Sequence, residues 1–177
     1  MSADNQQERL IRVGWVVGFV DGEGCFSIGF VHQSDREGRK GYKTGYQVIH
    51  EFAVTQGESS ISCLRDLKDF FGIGMLAINR RHDNHKEHLY RYVVRKREDL
   101  LNTIIPFFRM HKMHSRKQAD FEKFSKCVDL IEKGCHLSNE GLIEIAKITQ
   151  TMNRKKDRSC LIKILNDHTH DTKILAE

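Results

Sequence analysis

Val16-Val17-Gly18-Phe19-Val20-Asp21-Gly22-Glu23-Gly24 is the stretch that decides the fold of this chain of 177 residues. It ends a mostly apolar segment, residues 9–21, in which glycine recurs at every fourth position. If the segment is a helix, Gly14, Gly18 and Gly22 lie on one stripe of its surface. Each interior glycine costs a helix about 0.5–1 kcal/mol relative to alanine, so such a stripe is useful where a second helix backbone approaches closely. A buried strand followed by a glycine turn is the alternative, and the helix is the favoured interpretation.

Alternating apolar residues predict two strand pairs after this segment, with a basic loop in the first pair and a polar loop in the second. Helical spacing, potential capping serines and glycine stops predict further helices. The strands are expected at residues 25–32, 46–55, 75–80 and 89–94, and the helices at 59–71, 98–108 with an interruption near Pro106, 115–133 and 138–152. Strand pairs separated by helices are typical of an α+β fold, in which helices pack on one face of an antiparallel sheet.

Composition narrows the class of protein. Lys and Arg outnumber Asp and Glu by 29 to 24, which suits a polyanionic partner without requiring one. The apolar runs are too short to span a membrane, and the polar start lacks the pattern of a secretory signal, so neither a membrane nor a secreted protein is expected. The five scattered cysteines include no Cys-x-x-Cys spacing, which favours a reduced, intracellular protein over a disulfide framework or a thiolate zinc site.

A single domain over residues 1–177 is expected, because the chain has one proline and no proline-rich linker. Its core is predicted at about residues 10–133, followed by a helical extension at about residues 134–177.

Residues 16–24 resemble the LAGLIDADG motif of homing endonucleases in their glycine, apolar, Asp-Gly-acid-Gly core. A second region, which includes residues 117–121, 136–142 and 152–154, resembles the C-terminal helical part of intron-encoded members. The resemblance covers about residues 10–158. It implies the αββαββα fold of that family, with a saddle-shaped antiparallel sheet and additional C-terminal helices.

The resemblance also implies a catalytic site. Glu23 falls at the position of the catalytic acid, where many members carry Asp and both acids are accepted, and the carbonyl of Gly22 is implied as a further metal ligand. These hard oxygen ligands suit Mg²⁺, with Mn²⁺ able to substitute and Ca²⁺ expected to support binding without cleavage; no small-molecule cofactor is implied. Asp21 is expected to cap or brace the helix end.

Two further residues are implied in the reaction. Gln56 matches a family position that helps to order water near the scissile phosphate. Lys117 is the chosen basic residue, while Arg116 and Lys112 remain competitors because residues 109–117 depart from the usual turn of the family.

Because the motif occurs once, one chain supplies one acid, and the resemblance implies a homodimer that meets through Gly14, Gly18 and Gly22. Such a dimer cuts both strands of a long, pseudo-palindromic double-stranded DNA site and leaves short 3′ overhangs. The sheet face opposite Phe26 is expected to read base edges, and the basic loop is expected to position phosphates. The implied DNA contacts are Ser27, Gln33, Gln47, Glu51, Arg80, Arg81 and Arg91 at base edges, and Arg39, Lys40 and Lys43 at phosphates.

Alternatives remain open at this level. A non-cleaving nucleic-acid binder on the same scaffold, such as an intron maturase or a DNA-binding regulator, is the second hypothesis for function. His82, His85 and His88 are spaced three apart, but without cysteine or a helical scaffold they favour contact with DNA phosphates over a zinc site. The expected location is the bacterial cytoplasm or the interior of an organelle.

Overall fold

The computed structural model describes residues 3–33, 41–80, 87–153 and 157–174. The chain begins with a long helix, so the helical interpretation of the first apolar segment is correct, and the helix starts well before residue 9. In chain order the strands and helices are α1 (Ala3–Glu23), β1 (Gly24–His32), β2 (Tyr46–Gly57), α2 (Ile61–Phe71), β3 (Met75–Asn79), β4 (Leu89–Val94), α3 (Arg97–Asp99), α4 (Ile105–Met110), α5 (Lys117–Glu132), α6 (Asn139–Thr149) and α7 (Ser159–Ile174). Short 3₁₀ turns at Glu58–Ser60 and Cys135–Leu137 precede α2 and α6.

The four strands form one sheet in the order β1-β2-β4-β3. Strand β4 pairs antiparallel with β2 and with β3, so that Arg91 lies opposite Thr55 on one side and Ala77 on the other. Both predicted strand pairs are therefore present, and the predicted α+β class with an antiparallel sheet is confirmed.

Several predicted boundaries follow from identifiable local chemistry. The backbone N–H of Lys117 donates to Ser115 Oγ at 3.1 Å, and that of Gly141 donates to Ser138 Oγ at 3.2 Å, as expected for serines that cap helix starts. Residues Leu100–Ile104 form a π-helical turn directly before α4. The irregularity lies where Pro106 cannot donate a helical hydrogen bond, so the predicted interruption is confirmed.

The chain divides into two compact units, and each has its own apolar core. The first unit comprises Met1–Phe26 and Glu51–Phe121, and the second comprises Ser27–His50 and Glu122–Glu177. In the first unit, the fully buried ring of Phe26 stacks on Phe52 at 5.0 Å between centroids. Its other contacts are edge-on, with Phe108 at 5.6 Å and Phe121 at 5.2 Å, which ties the sheet to α4 and α5.

The second unit is built on the remaining halves of β1 and β2. Leu142, Ile143 and Leu165 form its buried cluster. Residues from the strands and from α7 pack against this cluster, namely Phe30, Tyr46, Val48, Leu161 and Ile162. The guanidinium of Arg158 lies 5.4 Å from the centre of the Phe30 ring, a cation–π contact that joins the start of α7 to β1.

No helix within the described ranges combines the length and the apolar character that crossing a membrane requires.

Gly74 and Gly72 provide a matched test of packing between α2 and β3. Both have left-handed backbones, with φ of 76° and 68°, but a Cβ on Gly74 would lie 2.8 Å from the carbonyl oxygen of Val93, whereas a Cβ on Gly72 meets no described atom within 4 Å. We expect Gly72→Ala to lower the free energy of unfolding by about 1 kcal/mol through backbone strain alone. Gly74→Ala is expected to cost about 2–4 kcal/mol because overpacking adds to that strain. Urea unfolding of the two variants measures the difference, and equal losses would contradict the steric explanation.

Candidate active site

The most constrained point in the chain is the junction between α1 and β1, which follow each other without an intervening residue at Glu23 and Gly24. A Cβ on Gly24 would lie 2.6 Å from Val20 Cγ1 and 2.7 Å from the Val20 carbonyl oxygen, distances that a folded chain does not tolerate. Only glycine allows the backbone to leave the helix this abruptly. The consequence is that Glu23 sits exposed at the very end of α1.

Asp21 anchors this helix end to the loop that precedes α5. Its carboxylate accepts hydrogen bonds from the backbone N–H of His114 at 2.9 Å and of Ser115 at 3.0 Å, and also from the Ser115 hydroxyl. Burial by itself raises the pKa of Asp21, but the bonds from Ser115 and His114 and the charge of Lys117 outweigh it and hold the pKa below its ordinary value. Asp21 therefore braces the helix end, as predicted.

Lys117 returns to the same helix end from the first residue of α5. Its Nζ donates to the carbonyl oxygens of Val20 at 3.1 Å and Gly22 at 2.9 Å, which satisfies carbonyls that a helix end leaves without an intrahelical partner. Burial lowers the pKa of Lys117, and the negative charges of Asp21 and Glu23 oppose that shift. An ammonium group and the exposed carboxylate of Glu23 thus belong to one electrostatic cluster.

The sequence left Lys112 and Arg116 as competitors for the basic position. The structure brings Lys117 to the carbonyl of Gly22, whereas Lys112 and Arg116 are exposed residues of the preceding loop. Gln56 lies near the end of β2, half-buried and opposite Tyr90 in the register with β4.

The oxygen atoms at this helix end fit a hard divalent cation. Glu23 offers an exposed carboxylate, and the adjacent carbonyl of Gly22 has a second lone pair beside the one that accepts from the ammonium of Lys117. Carboxylate and carbonyl oxygens are the ligand types that Mg²⁺ accepts when water and phosphate complete its shell. Among described residues there is no group of three or more His, Cys, Asp or Glu arranged to hold a metal ion. His82 and His85 lie outside the described residues.

The glycine stripe of α1 faces outward. A Cβ built on Gly14, Gly18 or Gly22 meets no atom of the described chain within 4 Å. Large apolar side chains of the same helix are also exposed, with Ile11 at 66% and Trp15 at 37% of their surface. This face of α1 is therefore available to another backbone.

A second charged cluster in the first unit lies on the sheet face opposite the aromatic core. Glu51 is almost buried, and its carboxylate forms ion pairs with both Arg91 and Arg95. Glu51 and Arg91 were each predicted to contact bases, and the structure pairs them with each other. Arg80 is exposed just after β3, and Arg81 lies outside the described residues.

In the second unit, the side-chain amide of Gln33 donates to that of Gln47 at 3.3 Å, which brings two predicted base-reading residues together. Ser27 is half-buried and Lys43 is exposed in the loop before β2. Arg39 and Lys40 lie outside the described residues.

Sequence reasoning missed two contributors. Ser115 was interpreted only as a helix cap, although its hydroxyl also binds Asp21. Arg95 was not considered, because it follows β4 rather than lying in the predicted strand. Its spacing of four residues from Arg91 places both on one face of an extended strand, and that spacing was an available signal.

Comparison with protein-family models gives a match over residues 16–128, described as LAGLIDADG endonuclease. Among curated proteins, "Probable intron-encoded endonuclease 2" of Neurospora crassa is 30% identical over 138 residues, which are 78% of this chain and 26% of that protein. "Uncharacterized 50.9 kDa protein in ND4 intron 1" of Podospora anserina is 32% identical over 126 residues, or 70% of this chain and 25% of that protein. The chain thus spans about a quarter of the length of these relatives.

Solved structures of similar fold include the homing endonuclease I-TnaI, which is 36% identical with a TM-score of 0.68, over 90% of this chain and 96% of that one. The LAGLIDADG homing endonuclease I-LtrWI, bound to target DNA, is 29% identical with a TM-score of 0.73, over 86% of this chain and 48% of that one. I-SmaMI, bound to uncleaved DNA in the presence of calcium ions, is 31% identical with a TM-score of 0.69, over 80% of this chain and 45% of that one.

The bonds to Asp21 predict a pH-dependent contribution to stability. A carboxylate whose pKa is depressed in the folded state stabilises it fully above the unfolded pKa of about 3.9, and the contribution is lost as pH falls through the folded value. At pH 7 we expect Asp21→Asn to lower the free energy of unfolding by about 1 kcal/mol, a modest loss because the group is only half-buried and water screens its charge. Denaturation at neutral and strongly acidic pH measures it, and the difference from wild type should vanish in acid. Asp69→Asn, at an exposed position on α2, is the control and should change nothing at either pH.

Proposed function

The chain belongs to the LAGLIDADG endonuclease family, and we propose that it is a site-specific homing endonuclease that acts as a homodimer on a long, pseudo-palindromic DNA duplex. Each copy hydrolyses one phosphodiester bond in a metal-dependent reaction, so that together they cut both strands and leave short 3′ overhangs. The proposal rests on the arrangement of charged groups at the C-terminal end of α1. There an exposed acid, Glu23, and a partly buried ammonium, Lys117, share the end of a helix whose glycine stripe faces outward.

Glu23 and the carbonyl of Gly22 are the groups that hold the divalent cation in this proposal. When bound, Mg²⁺ supplies Lewis-acid stabilisation of the attacking and leaving oxygens of the displacement. With these two hard oxygens from one chain, water and phosphate oxygens of the substrate would supply the remaining ligands. Mn²⁺ has similar preferences, and Ca²⁺ is proposed to support binding without cleavage. The I-SmaMI complex with uncleaved DNA and calcium ions supports that expectation.

Lys117 supplies positive charge beside the reacting phosphate. Its ammonium is a compact cation held by the carbonyls of Val20 and Gly22, close to the carboxylate that defines the site. A cation fixed before the substrate arrives stabilises charge that develops on the phosphoryl oxygens without further reorganisation. Gln56, at the end of β2, is proposed to orient the attacking water. Asp21 takes no part in the chemistry because its oxygens already bind the loop at His114 and Ser115.

DNA contacts are proposed on the sheet face opposite the aromatic core. Of the polar residues predicted there, Ser27, Gln33, Gln47 and Arg91 supply hydrogen-bond donors and acceptors for base edges, and exposed Lys43 supplies a phosphate contact. The DNA-bound structure of I-LtrWI supports this role for the fold. An intracellular location, in an organelle or a bacterial cytoplasm, is proposed because the relatives are intron-encoded.

The proposal of a homodimer is supported by the open glycine stripe of α1, where a Cβ on Gly14, Gly18 or Gly22 would meet no atom of the described chain within 4 Å. Two acids, one from each copy, are also what two strand cuts require.

Substitution of Glu23 tests the catalytic assignment. We expect Glu23→Gln to abolish cleavage because a neutral amide is a poor ligand for a hard cation, whereas DNA binding in Ca²⁺ stays within about threefold of wild type. Glu23→Asp is the matched control and should retain cutting, since it keeps the carboxylate. The substrate is a plasmid carrying the uninterrupted sequence that flanks the gene, incubated with Mg²⁺, Ca²⁺ or EDTA.

Linear product in Mg²⁺ alone supports the nuclease. A wild-type protein that shifts this DNA without cutting it in any condition would instead indicate a non-cleaving binder. Normal cleavage by Glu23→Gln would show that Glu23 is not the metal ligand.

Substitutions at Gly18 test whether the glycine stripe of α1 forms the dimer interface. Because a Cβ on Gly18 meets nothing within its own described chain, Gly18→Ala and Gly18→Leu should fold normally, and Gly18→Ala should gain about 0.5–1 kcal/mol in helix stability. If α1 packs on the α1 of a second copy, Gly18→Leu forces the two backbones apart. We therefore expect the dissociation constant of the dimer to rise at least about tenfold through overpacking. Urea unfolding measures the gain in stability, and sedimentation equilibrium measures dimer dissociation. A leucine variant that stays dimeric with wild-type affinity would remove Gly18 from the interface.

A further inference from the structure

The ion-pair cluster on the sheet has an arrangement that the proposed function does not by itself require. Residues alternate along β2 and β4, so Phe52 and Tyr92 point to the aromatic core while Glu51 and Arg91 point to the opposite face. Phe52 lies opposite Val94, and continuing that register by one residue puts Glu51 opposite Arg95. Arg91 lies opposite Thr55, four residues farther along β2. A carboxylate therefore joins two arginines from different positions along the neighbouring strand.

The two oxygens of Glu51 are divided between the two arginines. Oε1 accepts from Arg91 Nη2, and Oε2 accepts from Arg95 Nε at 2.6 Å. The exposed fraction of the side chain is 12% for Glu51, against 31% for Arg91 and 57% for Arg95. The acid is thus covered and the guanidinium groups face outward, which is the reverse of what a base-contacting glutamate needs.

The bond to Glu51 leaves Arg91 able to make a second, directed contact. A guanidinium carries five N–H donors in a rigid fork, and Glu51 uses Nη2 only in this pair. A fork of this kind binds two acceptors at once, and in the major groove of DNA the matching pair is O6 and N7 of guanine. A side chain that is already held loses less rotamer freedom when it binds.

The cluster also lies close to the candidate active site. Arg91 lies opposite Thr55 in the register between β4 and β2, one residue before Gln56, which is proposed to orient the attacking water. The base pair that Arg91 can reach therefore lies toward the site of cutting rather than at the outer end of the target.

Building on the proposed nuclease function, we propose that Glu51 is a positioning residue that holds Arg91 to read a guanine in each half-site, and does not itself contact a base. The acid restrains two cations at once, so it also limits how strongly this face attracts phosphates of any sequence. Specificity and restraint of non-specific binding then come from the same carboxylate.

Two measurements on Glu51→Gln test this inference. Selection from a duplex library with randomised sequence, bound in Ca²⁺ and sequenced, reports the base preferences. The variant should lose about tenfold discrimination at one position in each half-site and keep its other preferences. Anisotropy with one unrelated duplex over a series of KCl concentrations reports non-specific binding. Its salt dependence should steepen by about one unit of slope per copy, because a released arginine gains a phosphate contact.

Charge-matched variants separate positioning from net charge. Glu51→Gln combined with Arg95→Gln restores the wild-type charge, and we expect it to recover the salt slope but not the lost base preference. Glu58→Gln makes the same charge change at an exposed position in the turn before α2 and should leave the base preferences intact. If Glu51→Gln does not fold, Glu51→Asp keeps the charge but is one methylene shorter, so it should hold Arg95, which lies directly opposite, and release Arg91. It should weaken the same preference with an unchanged salt slope.

Distinct outcomes overturn the inference. Unchanged preferences in Glu51→Gln, or in Glu51→Asp where that variant is used, would show that Arg91 needs no positioning. A switch from one preferred base to another would show that Glu51 itself touches the base. A wild-type protein without any base preference would instead refute the proposed function, whereas a wild-type preference that the variants retain refutes this inference alone.

Discussion

The backbone passes from α1 into β1 with no residue between them, and the arrangement of the candidate site depends on that junction. Val20 fills the space that a side chain on Gly24, the first residue of β1, would occupy. Glycine is therefore required here because any side chain would clash with Val20, and not only because glycine is flexible. A longer connection would place Glu23 on a loop, and its carboxylate would then move with that loop. Here Glu23 is instead the last residue of a rigid helix, and its position is set by the packing of Val16 and Val20 in the core of the first unit.

Two long-range contacts then complete the helix end. Asp21 binds the backbone before α5, and Lys117, at the start of α5, binds the last carbonyls of α1. The two interactions have opposite polarity: Asp21 accepts from N–H groups of the loop before α5, and Lys117 donates to carbonyls that the end of α1 leaves without an intrahelical partner. The result is that the exposed carboxylate of Glu23 and the ammonium of Lys117 lie at a helix end that is held by the same contacts that join the two helices.

The charged groups on the sheet and those at the end of α1 differ in which sign of charge is exposed. Around Glu51 the positive groups are exposed and the negative group is covered, so the face remains attractive to a polyanion although the cluster is internally paired. At the end of α1 the positive group is partly buried and the acid is exposed, which suits a cation brought from solution. The chain belongs to the LAGLIDADG endonuclease family. In the proposed function the first arrangement belongs to the surface that holds the duplex and the second to the site that cuts it.

The sequence alone determined most of the secondary structure and the α+β class, because these depend on spacings within a few residues, and the resemblance of residues 16–24 to a known motif indicated the family. Alternation in β1, glycine stops after α2 and serine caps before α5 and α6 all act locally and could be read directly. The partners of the charged residues could not be read in this way. Lys117 meets Gly22 across 95 positions of the chain, and Arg91 meets Glu51 across 40. Only the tertiary structure decided that Lys117, rather than Lys112 or Arg116, returns to the helix end, and that Glu51 faces two arginines, because such contacts depend on how distant strands and helices pack together.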